Sequence, residues 1–313
     1  METKSPPVPA FAVIGDPIEH SMSPLLHGAV FAAVGVEARF DVVRVRPDSL
    51  AAFISRVRQT GEPAGLNVTI PHKERILPLL DEVLGDAALS GAVNVVTVGK
   101  DPNPEGRRLT GHNTDMEGLL LAVRRCGFDY NGSRIAVSGT GGAALGAICK
   151  AATYGAKEVS VFGRNREKAE AALARAAALD REPGTETAFS FRGAPEAEKL
   201  EGVDIFINAT PLGMAGYPED FADTSFLRGL PAGALVYDMV YTPSLTALVR
   251  AARERGLRAE NGLGMLVLQG LLADALFFGV PKEEWLTDGN FKTGYETLAR
   301  ELRVRERKMH GKR

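Results

Sequence analysis

Short apolar runs alternate with amphipathic stretches over the first hundred residues. Compact apolar runs bounded by turn residues predict buried strands, and apolar residues spaced three or four apart predict helices. The strands are predicted at Phe11 to Gly15, Phe40 to Val45, Gly65 to Thr69 and Val93 to Val98, and the helices near residues 24–34, 48–59 and 73–89. This alternation is typical of βαβ units, in which helices cover a sheet.

A turn-rich stretch, residues 100–106, interrupts the alternation before a further strand from Leu109 to His112. A helix predicted from Thr114 to Cys126 then leads into a second alternating region. The strands of this region are predicted near residues 134–138, 158–162, 187–191, 203–208 and 234–238. Helices rich in alanine, leucine and glutamate separate them, so this half of the chain predicts a doubly wound parallel sheet.

A glycine-rich segment, Gly139 to Gly146, follows directly after the predicted strand that ends at Ser138. In a dinucleotide-binding βα unit, the first glycine permits a tight turn and the second lets the backbone approach a pyrophosphate. A third small residue lets the helix pack closely on the strand. Gly139, Gly141 and Ala144 occupy these positions. The exposed amides at the helix start then favour an anion, although glycine clusters also mark ordinary turns.

The end of the next predicted strand distinguishes between two cofactors. NAD-binding folds usually place an acid about 20 residues after the glycines to hold the ribose 2′-hydroxyl, whereas an arginine there accommodates a 2′-phosphate. This chain has Gly163 and Arg164 at that place, with Lys168 one helical turn further on. The two cations are either a solvated helix face or a site for a second phosphate, and the position of Arg164 favours NADP.

A long apolar segment from Leu263 to Val280 contains Gln269 and Asp274, which suits a buried helix better than a membrane span. Because this segment has to return to the first alternating region, we predict two α/β domains with a cleft between them. Residues 1–114 plus 262–313 form the discontinuous substrate-binding domain. Residues 115–261 form a Rossmann-type nucleotide-binding domain. The length of 313 residues fits two domains.

Composition and charge mainly exclude certain partners and kinds of site. Hydrophobic residues make up 45% and charged residues 24% of the chain, as in a soluble globular enzyme. The net charge of −2 gives no basic field, so nucleic acid is not an expected partner. Cys126 and Cys149 lack CxxC spacing, which predicts reduced, mostly buried thiols in a cytoplasmic protein. The histidines lack the spacing of paired metal ligands, so no metal is predicted.

Polar side chains interrupt or follow several predicted strands. Ser21 and Ser23 flank one residue in the turn after the first strand, where they either cap the next helix or donate hydrogen bonds to a small carboxylate. Asn67 and Thr69 point to the same face of a strand, and Lys73 follows in the next turn. Polar groups that leave an apolar strand need partners, so these residues are candidates for a site.

Two further polar residues stand where strands begin or end. Asn94 opens a strand after Gly91-Ala92-Val93, and Asp115 ends the segment Gly111-His112-Asn113-Thr114-Asp115. An acid in the first turn also stabilises a helix without any chemistry, so Asp115 alone leaves both interpretations open.

Eight blocks of residues occur in order between about residues 12 and 280. They read G-x-P-I-x-H-S-x-S-P, N-V-T-x-P-x-K, A-V-N, N-T-D, G-x-G-G-A-A, I-N-A-T, Y-D-M-x-Y-x-P and G-L-G-M-L-x-x-Q. This ordered set resembles the shikimate dehydrogenase family and covers both predicted domains. The resemblance implies NADPH-dependent, reversible reduction of 3-dehydroshikimate to shikimate, in the pathway to aromatic amino acids.

The same resemblance implies roles for individual residues. Lys73 and Asp115 would form the catalytic pair, in which Lys73 exchanges a proton with the reacting oxygen and Asp115 orients Lys73. The substrate carboxylate is assigned to Ser21, Ser23 and Tyr241, and the ring hydroxyls or the shape of the pocket to Asn67, Thr69, Asn94 and Gln269. The implied NADP-binding residues are Gly139, Gly141, Gly142, Ala143, Ala144, Arg164, Lys168, Thr210, Met239 and Gly262.

Some alternatives stay open at this point. Gly163 stands where many family members have an asparagine, which removes one contact to the adenosine part of the cofactor. A broader quinate/shikimate dehydrogenase that also uses NAD is therefore one alternative. A non-catalytic paralogue that binds nucleotide and shikimate is another, although it would not need both Lys73 and Asp115. The expected partner is a small-molecule substrate and not a membrane, and a homodimer is an alternative to the monomer.

Overall fold

A computed structural model describes residues 8–100, 106–179, 186–195 and 200–310. The described chain divides into two compact units. Unit 1 contains the residues up to Thr114 together with Val267–Leu298, and unit 2 contains Asp115–Leu266 together with the residues from Ala299 onward. Residues 101–105 of the predicted turn-rich stretch lie outside the described residues.

Unit 1 is built on a six-stranded mixed sheet with the order β2-β1-β3-β5-β6-β4. The strands are β1 Ala10–Gly15, β2 Arg39–Arg44, β3 Gly65–Val68, β4 Glu82–Val83, β5 Val95–Lys100 and β6 Arg107–His112. The helices are α1 Ser23–Val34, α2 Leu50–Thr60 and α3 Asp86–Ser90. All residues of β1 and β3 are buried, because helices cover a central strand on both faces.

Two features of unit 1 differ from the predicted alternation. Strand β5 runs antiparallel to both β3 and β6, so this half of the sheet is not built from βαβ units. The helix predicted at residues 73–89 is wrong. Its apolar residues are spaced as in a helix, but Pro78 lacks a backbone N–H and Gly85 adopts a φ of +50°. The segment instead forms a short 3-10 helix at Leu77–Leu79, strand β4 and α3.

Unit 2 contains a six-stranded sheet in which every neighbouring pair is parallel, with the order β12-β11-β10-β7-β8-β9. The strands are β7 Arg134–Ser138, β8 Glu158–Phe162, β9 Ala188–Gly193, β10 Ile205–Asn208, β11 Leu235–Asp238 and β12 Arg258–Asn261. The helices are α4 Asp115–Arg125, α5 Gly142–Thr153, α6 Arg166–Ala177 and α7 Ala247–Glu254. The strand order reverses beside β7, which confirms the predicted doubly wound sheet.

The C-terminal part of the chain belongs to both units. Helix α8, Leu263–Phe278, begins in unit 2 and continues into unit 1, followed by α9, Lys282–Trp285, and α10, Asp288–His310. The end of α10 belongs to unit 2, where Glu306 accepts hydrogen bonds from the backbone N–H (2.6 Å) and the hydroxyl (3.1 Å) of Ser244. The predicted first domain, in contrast, includes all of residues 262–313.

An aromatic cluster fills the core of unit 1 between α1, β1 and α8. The ring of Phe11 stacks on Phe277 with centroids 4.7 Å apart, and Phe278 stacks on Trp285 at 5.2 Å. Phe31 contacts Phe278 edge to face at 5.6 Å. The predicted buried character of the segment after Leu263 follows from this packing. In the described parts of the chain, no helix combines the length and the apolar character that crossing a membrane requires.

Candidate active site

Three polar side chains meet at the end of the unit 1 sheet. Asn94 is buried and donates from Nδ2 to Thr114 Oγ1 (2.9 Å) and to Gln269 Oε1 (3.4 Å), and its Oδ1 accepts from the Thr114 backbone N–H (2.7 Å). The structure thus brings Asn94 and Gln269 into contact. Thr114, which fixes the amide of Asn94, has no predicted role in the sequence analysis.

A second buried group of unit 1 contains Asn67. Its Nδ2 lies 3.1 Å from Nε2 of His27, and Nδ1 of His27 lies 2.6 Å from Oδ1 of Asp274. The side chains of His27 and Asp274 are fully buried. Burial raises the pKa of the Asp274 carboxyl, and the hydrogen bond from His27 opposes the shift. This hydrogen bond therefore favours the ionised form of Asp274.

The remaining predicted residues of unit 1 lie in loops that follow β1 and β3. Ser21 donates from Oγ to Oγ of Ser23 (3.2 Å) and accepts from the Ser23 backbone N–H (3.2 Å), so the two hydroxyls are adjacent. The side chain of Met22, the N-cap residue of α1, forms no hydrogen bond to the helix, so the oxygen of Ser21 is the side-chain acceptor at the helix start. Thr69 is anchored to β1 by its N–H, which donates to Ile14 O (3.0 Å). Lys73 is half-buried, and its carbonyl accepts from Val93 N–H (2.8 Å).

The other two predicted catalytic or substrate residues belong to unit 2. Asp115 is half-buried and is the first residue of α4. Tyr241 lies after β11 and is half-buried. Burial raises the pKa of the Tyr241 phenol, although the charge of Arg305 opposes the shift. The hydroxyl of Tyr241 therefore stays protonated at neutral pH and can donate a hydrogen bond.

The glycine-rich segment forms the turn from β7 into α5. Gly139 has a φ of +126°, and a Cβ there would lie 3.0 Å from Ala209 O, so only glycine fits. Gly141 precedes α5 without any side-chain cap, and Gly141, Gly142 and Ala143 are exposed. Ala144, in the first turn of α5, is fully buried. The helix start thus presents uncapped, accessible backbone N–H groups, which is the arrangement that binds a phosphate.

The loop after β8 carries the predicted 2′-phosphate residues. Arg164 is 84% exposed, and its nearest carboxylate oxygen, on Glu219, is 3.7 Å away. Asn165 caps α6 by accepting from the Lys168 backbone N–H (2.9 Å). The side chain of Lys168 is exposed in the first turn of that helix. Arg164 and Lys168 are therefore both accessible after the end of β8, where Gly163 stands in place of an acid.

A buried carboxylate organises the loops after β10 and β11. Asp238 is fully buried and accepts from Asn208 Nδ2 (2.9 Å), Thr246 Oγ1 (2.6 Å) and Val240 N–H (3.1 Å). Asn208 in turn accepts, through Oδ1, from both the backbone N–H (3.0 Å) and the hydroxyl (2.6 Å) of Thr210. Thr210 is therefore held in place by a network that begins at Asp238.

Met239 and Gly262 contact each other closely. Met239 N–H donates to Asn208 O (2.9 Å), and Gly262 N–H donates to Val240 O (3.1 Å). A Cβ at Gly262 would overlap the carbonyl oxygen of Met239. The chain therefore requires glycine at this position for space and not for its backbone conformation.

Replacing Gly262 with alanine is expected to lower the free energy of unfolding by about 1–3 kcal/mol, because the backbone of Met239 has to move. The matched control is Gly264→Ala, where a Cβ would lie 3.9 Å from its nearest neighbour, the Tyr237 hydroxyl. Urea unfolding of both variants measures the difference. Equal stability of the two alanine variants would contradict the proposed overlap.

The residues that hold the predicted site residues in place are visible in the sequence, but the sequence analysis assigns them no role. Asn208 and Asp238 belong to the I-N-A-T and Y-D-M blocks, and His27 follows the first block.

Within the described residues, no group of three or more His, Cys, Asp or Glu side chains is arranged to hold a metal ion. Neither cysteine forms a disulfide, and burial raises the pKa of the Cys126 thiol to about 11, so this thiol stays protonated.

Comparison with known proteins places these features in a family. The family model for the shikimate dehydrogenase substrate binding domain matches residues 13–96. A shikimate dehydrogenase (NADP(+)) of Geobacter sp. (strain M21) is 42% identical over 274 residues, covering 87% of this chain and 90% of the relative.

Solved structures show the same similarity. A shikimate dehydrogenase crystallised with NADP+ has a TM-score of 0.79 and 32% identity, covering 94% of this chain and 96% of its own. The shikimate 5-dehydrogenase of Thermus thermophilus in complex with shikimate has a TM-score of 0.75 and 30% identity, covering 94% and 99%. The similarity therefore extends over both units, and the chain belongs to the shikimate dehydrogenase family.

Proposed function

We propose that this protein catalyses the reversible, NADPH-dependent reduction of 3-dehydroshikimate to shikimate. The observation that carries the proposal is that the similarity to NADP-dependent shikimate dehydrogenases extends over both units. Unit 1 would supply most of the substrate-binding side chains, and unit 2 would hold the cofactor.

The residues of unit 2 fit NADP. The uncapped start of α5 offers backbone N–H groups to a pyrophosphate, and the absence of a side chain at Gly141 and Gly142 leaves room for it. Arg164 and Lys168 suit a 2′-phosphate, and the residue at the end of β8 is not an acid that would hold a ribose hydroxyl. Thr210, Met239 and Gly262 complete the proposed cofactor site.

The residues of unit 1 suit a cyclic polyol that carries a carboxylate. The adjacent hydroxyls of Ser21 and Ser23 can donate to the carboxylate, as can Tyr241. The amides of Asn67, Asn94 and Gln269, with the hydroxyl of Thr69, can each donate to or accept from ring hydroxyls. The proposed substrate side is therefore neutral apart from Lys73 and Asp115.

Lys73 and Asp115 are the proposed catalytic pair. NADPH, when bound, supplies the hydride that the carbonyl carbon of the substrate accepts. The carbonyl oxygen gains negative charge as this happens, and the ammonium of Lys73 stabilises the charge and transfers a proton from Nζ to that oxygen. Asp115 orients the ammonium and accepts a hydrogen bond from a ring hydroxyl. In the reverse direction, neutral Lys73 takes the proton from the hydroxyl that is oxidised.

The test is to follow reduced-cofactor absorbance with purified protein. Shikimate and quinate are each tried with NADP and with NAD. Fast turnover with shikimate and NADP alone would support the proposal. Comparable rates with quinate or NAD would indicate the broader dehydrogenase, and nucleotide binding without turnover would indicate the non-catalytic paralogue. Sedimentation of the same sample decides between the monomer and the homodimer.

Replacing Arg164 with alanine is expected to weaken NADP binding by about 10- to 100-fold and to leave NAD binding nearly unchanged. A hydrogen bond to a charged group contributes about 1.5–3 kcal/mol, and only NADP carries the 2′-phosphate. Cofactor titration by fluorescence or calorimetry measures both affinities.

The matched control for this prediction is Arg166→Ala. Arg166 is exposed at the start of α6, two residues after Arg164, but its guanidinium is paired with Glu170 (2.9 Å) and lies over the ring of Phe191 (4.7 Å). The Arg166→Ala variant should therefore bind NADP and NAD with affinities close to those of the unaltered protein. An equal loss of NADP and NAD affinity in Arg164→Ala would exclude the 2′-phosphate role.

A further inference from the structure

A buried chain of three polar side chains crosses the core of unit 1. It runs from Asp274 on α8 through His27 on α1 to Asn67 on β3, with contacts of 2.6 Å and 3.1 Å. The ring of His27 also stacks on Phe40, with centroids 4.0 Å apart and planes inclined by 9°. The imidazole is therefore fixed in both position and plane.

Burying these polar side chains in a protein core is energetically unfavourable. His27 and Asp274 are fully buried, and the second carboxylate oxygen of Asp274 has no hydrogen-bond partner among the described residues. Burying a charge costs several kcal/mol that a pair recovers only with good geometry, and apolar side chains of similar volume often stabilise a core equally well. Fold stability alone is therefore a weak reason for this pair.

The hydrogen-bond directions follow from the amide of Asn67. Its amino group faces Nε2 of His27 and can only donate, so Nε2 keeps a lone pair and the ring proton lies on Nδ1, which donates to Oδ1 of Asp274. That lone pair accepts from the Nδ2 amino group of Asn67. The amide oxygen of Asn67 is consequently turned away from His27, and this buried oxygen has no partner among the described residues.

We propose that His27 and Asp274 are positioning residues that hold the amide of Asn67 with its nitrogen inward and its oxygen free to accept a hydrogen bond from a hydroxyl of the substrate. This inference rests on the proposed function, in which Asn67 contacts the substrate. The side chains of this pair are fully buried, and the proposal is that the pair acts on the substrate only through Asn67. It makes the site selective for a hydroxyl, which can donate, over a carbonyl or ether oxygen, which cannot.

The decisive variant is Asp274→Asn. Asparagine has an amino group where aspartate has a second oxygen. With this amino group facing Nδ1 of His27, the ring proton moves to Nε2, which then donates to Asn67 and forces its amide to turn over. The Michaelis constant for shikimate is expected to rise about tenfold or more, the cost of one mispaired buried hydrogen bond. The values of kcat and of KM for NADP should stay within about threefold.

A double-mutant cycle separates positioning from a general structural effect. In an Asn67→Ala background, Asp274→Asn should have no further effect on KM for shikimate, because its only route to the substrate is gone. A KM ratio that is the same in both backgrounds would overturn the proposal, as would an unchanged KM in Asp274→Asn when its imidazole carries the proton on Nε2.

The matched control is Asn290→Ala, which removes another buried hydrogen bond of unit 1, from Asn290 Nδ2 to Trp285 O (3.0 Å). It should lower the thermal midpoint and leave KM for shikimate unchanged. A rise in KM equal to that of Asp274→Asn at similar stability would mean that any loss of stability has this effect, which would overturn the proposal.

Nitrogen NMR of the His27 imidazole tests the inference independently of enzymatic activity. If the unaltered protein fails to oxidise shikimate, the proposed function is refuted. The NMR spectrum still shows which ring nitrogen of His27 carries the proton, and therefore how Asn67 is oriented. We expect the proton of His27 on Nδ1 in the unaltered protein and on Nε2 in Asp274→Asn. A proton on Nε2 in the unaltered protein would overturn the inference whatever the activity.

Discussion

Replacing Lys73 with alanine is expected to lower kcat by about 10²–10⁴-fold, the usual contribution of a positioned proton donor. The affinity for shikimate should change far less, because the ammonium stabilises charge that appears only as hydride is transferred. Steady-state kinetics in both directions, with saturating NADP or NADPH, measures kcat and KM separately.

Two further variants sharpen this prediction. Lys73→Arg keeps a cation but cannot give up a proton at neutral pH, so it should also turn over slowly. Arg75→Ala, which removes an exposed cation two residues along the chain, is the matched control and should retain kcat. Turnover of Lys73→Ala near that of the unaltered protein would reject Lys73 as the proton donor.

Replacing Asp238 with alanine is expected to lower the free energy of unfolding by about 3 kcal/mol or more at pH 7. Three buried donors, from Asn208, Val240 and Thr246, would lose their acceptor, and each unpaired buried donor costs about 1–3 kcal/mol. NADP affinity should fall as well, because Asn208 holds Thr210. An unchanged urea midpoint would contradict this role.

The same carboxyl gives a pH dependence with a definite sign. Burial raises the pKa of Asp238 from 3.8 to about 6, although its hydrogen bonds lower it. Between these values the folded protein keeps a proton that the unfolded chain has released. The contribution of Asp238 to stability therefore falls as pH rises through this range, by about 3 kcal/mol in total.

Asp238→Asn tests this pH dependence, because the amide keeps an acceptor oxygen but does not titrate. The free energy of unfolding of the unaltered protein, minus that of Asp238→Asn, should decrease from pH 4 to pH 7. Urea titrations at several pH values measure it. A difference that is independent of pH would show that Asp238 has the same pKa in the folded and unfolded states.

The sequence predicts a strand or helix well where the residues of that segment alone determine it. Strands β7 and β8 begin and end as predicted, because continuous apolar runs between turns leave few alternatives. The direction of β5 could not be predicted, since it depends on pairing with β3 and β6. Strand β4 has two residues, too few to show a hydrophobic pattern. The helix predicted over them was wrong because Pro78 and Gly85 disfavour a helix more than the apolar spacing favours one.

The candidate site shows the same division. Ordered blocks point to Asn94 and Gln269, and in the structure the amide of Asn94 donates to the amide oxygen of Gln269. The sequence gives no sign that Asp274 pairs with His27, because the two residues lie on helices far apart in the chain and each looks like an isolated polar residue in an apolar stretch. The assigned roles of Lys73 and Asp115 stay predictions.

The aromatic cluster of unit 1 has a consequence for synthesis on the ribosome. Phe11 and Phe31 leave the ribosome early, but Phe277, Phe278 and Trp285, which cover them, are added after every strand of unit 2. Because domains tend to fold as they emerge, the unit 2 sheet can form while the unit 1 sheet still exposes its apolar face. The nascent chain therefore carries an uncovered hydrophobic surface for most of its translation, and a fragment that ends at Thr114 would be prone to aggregate.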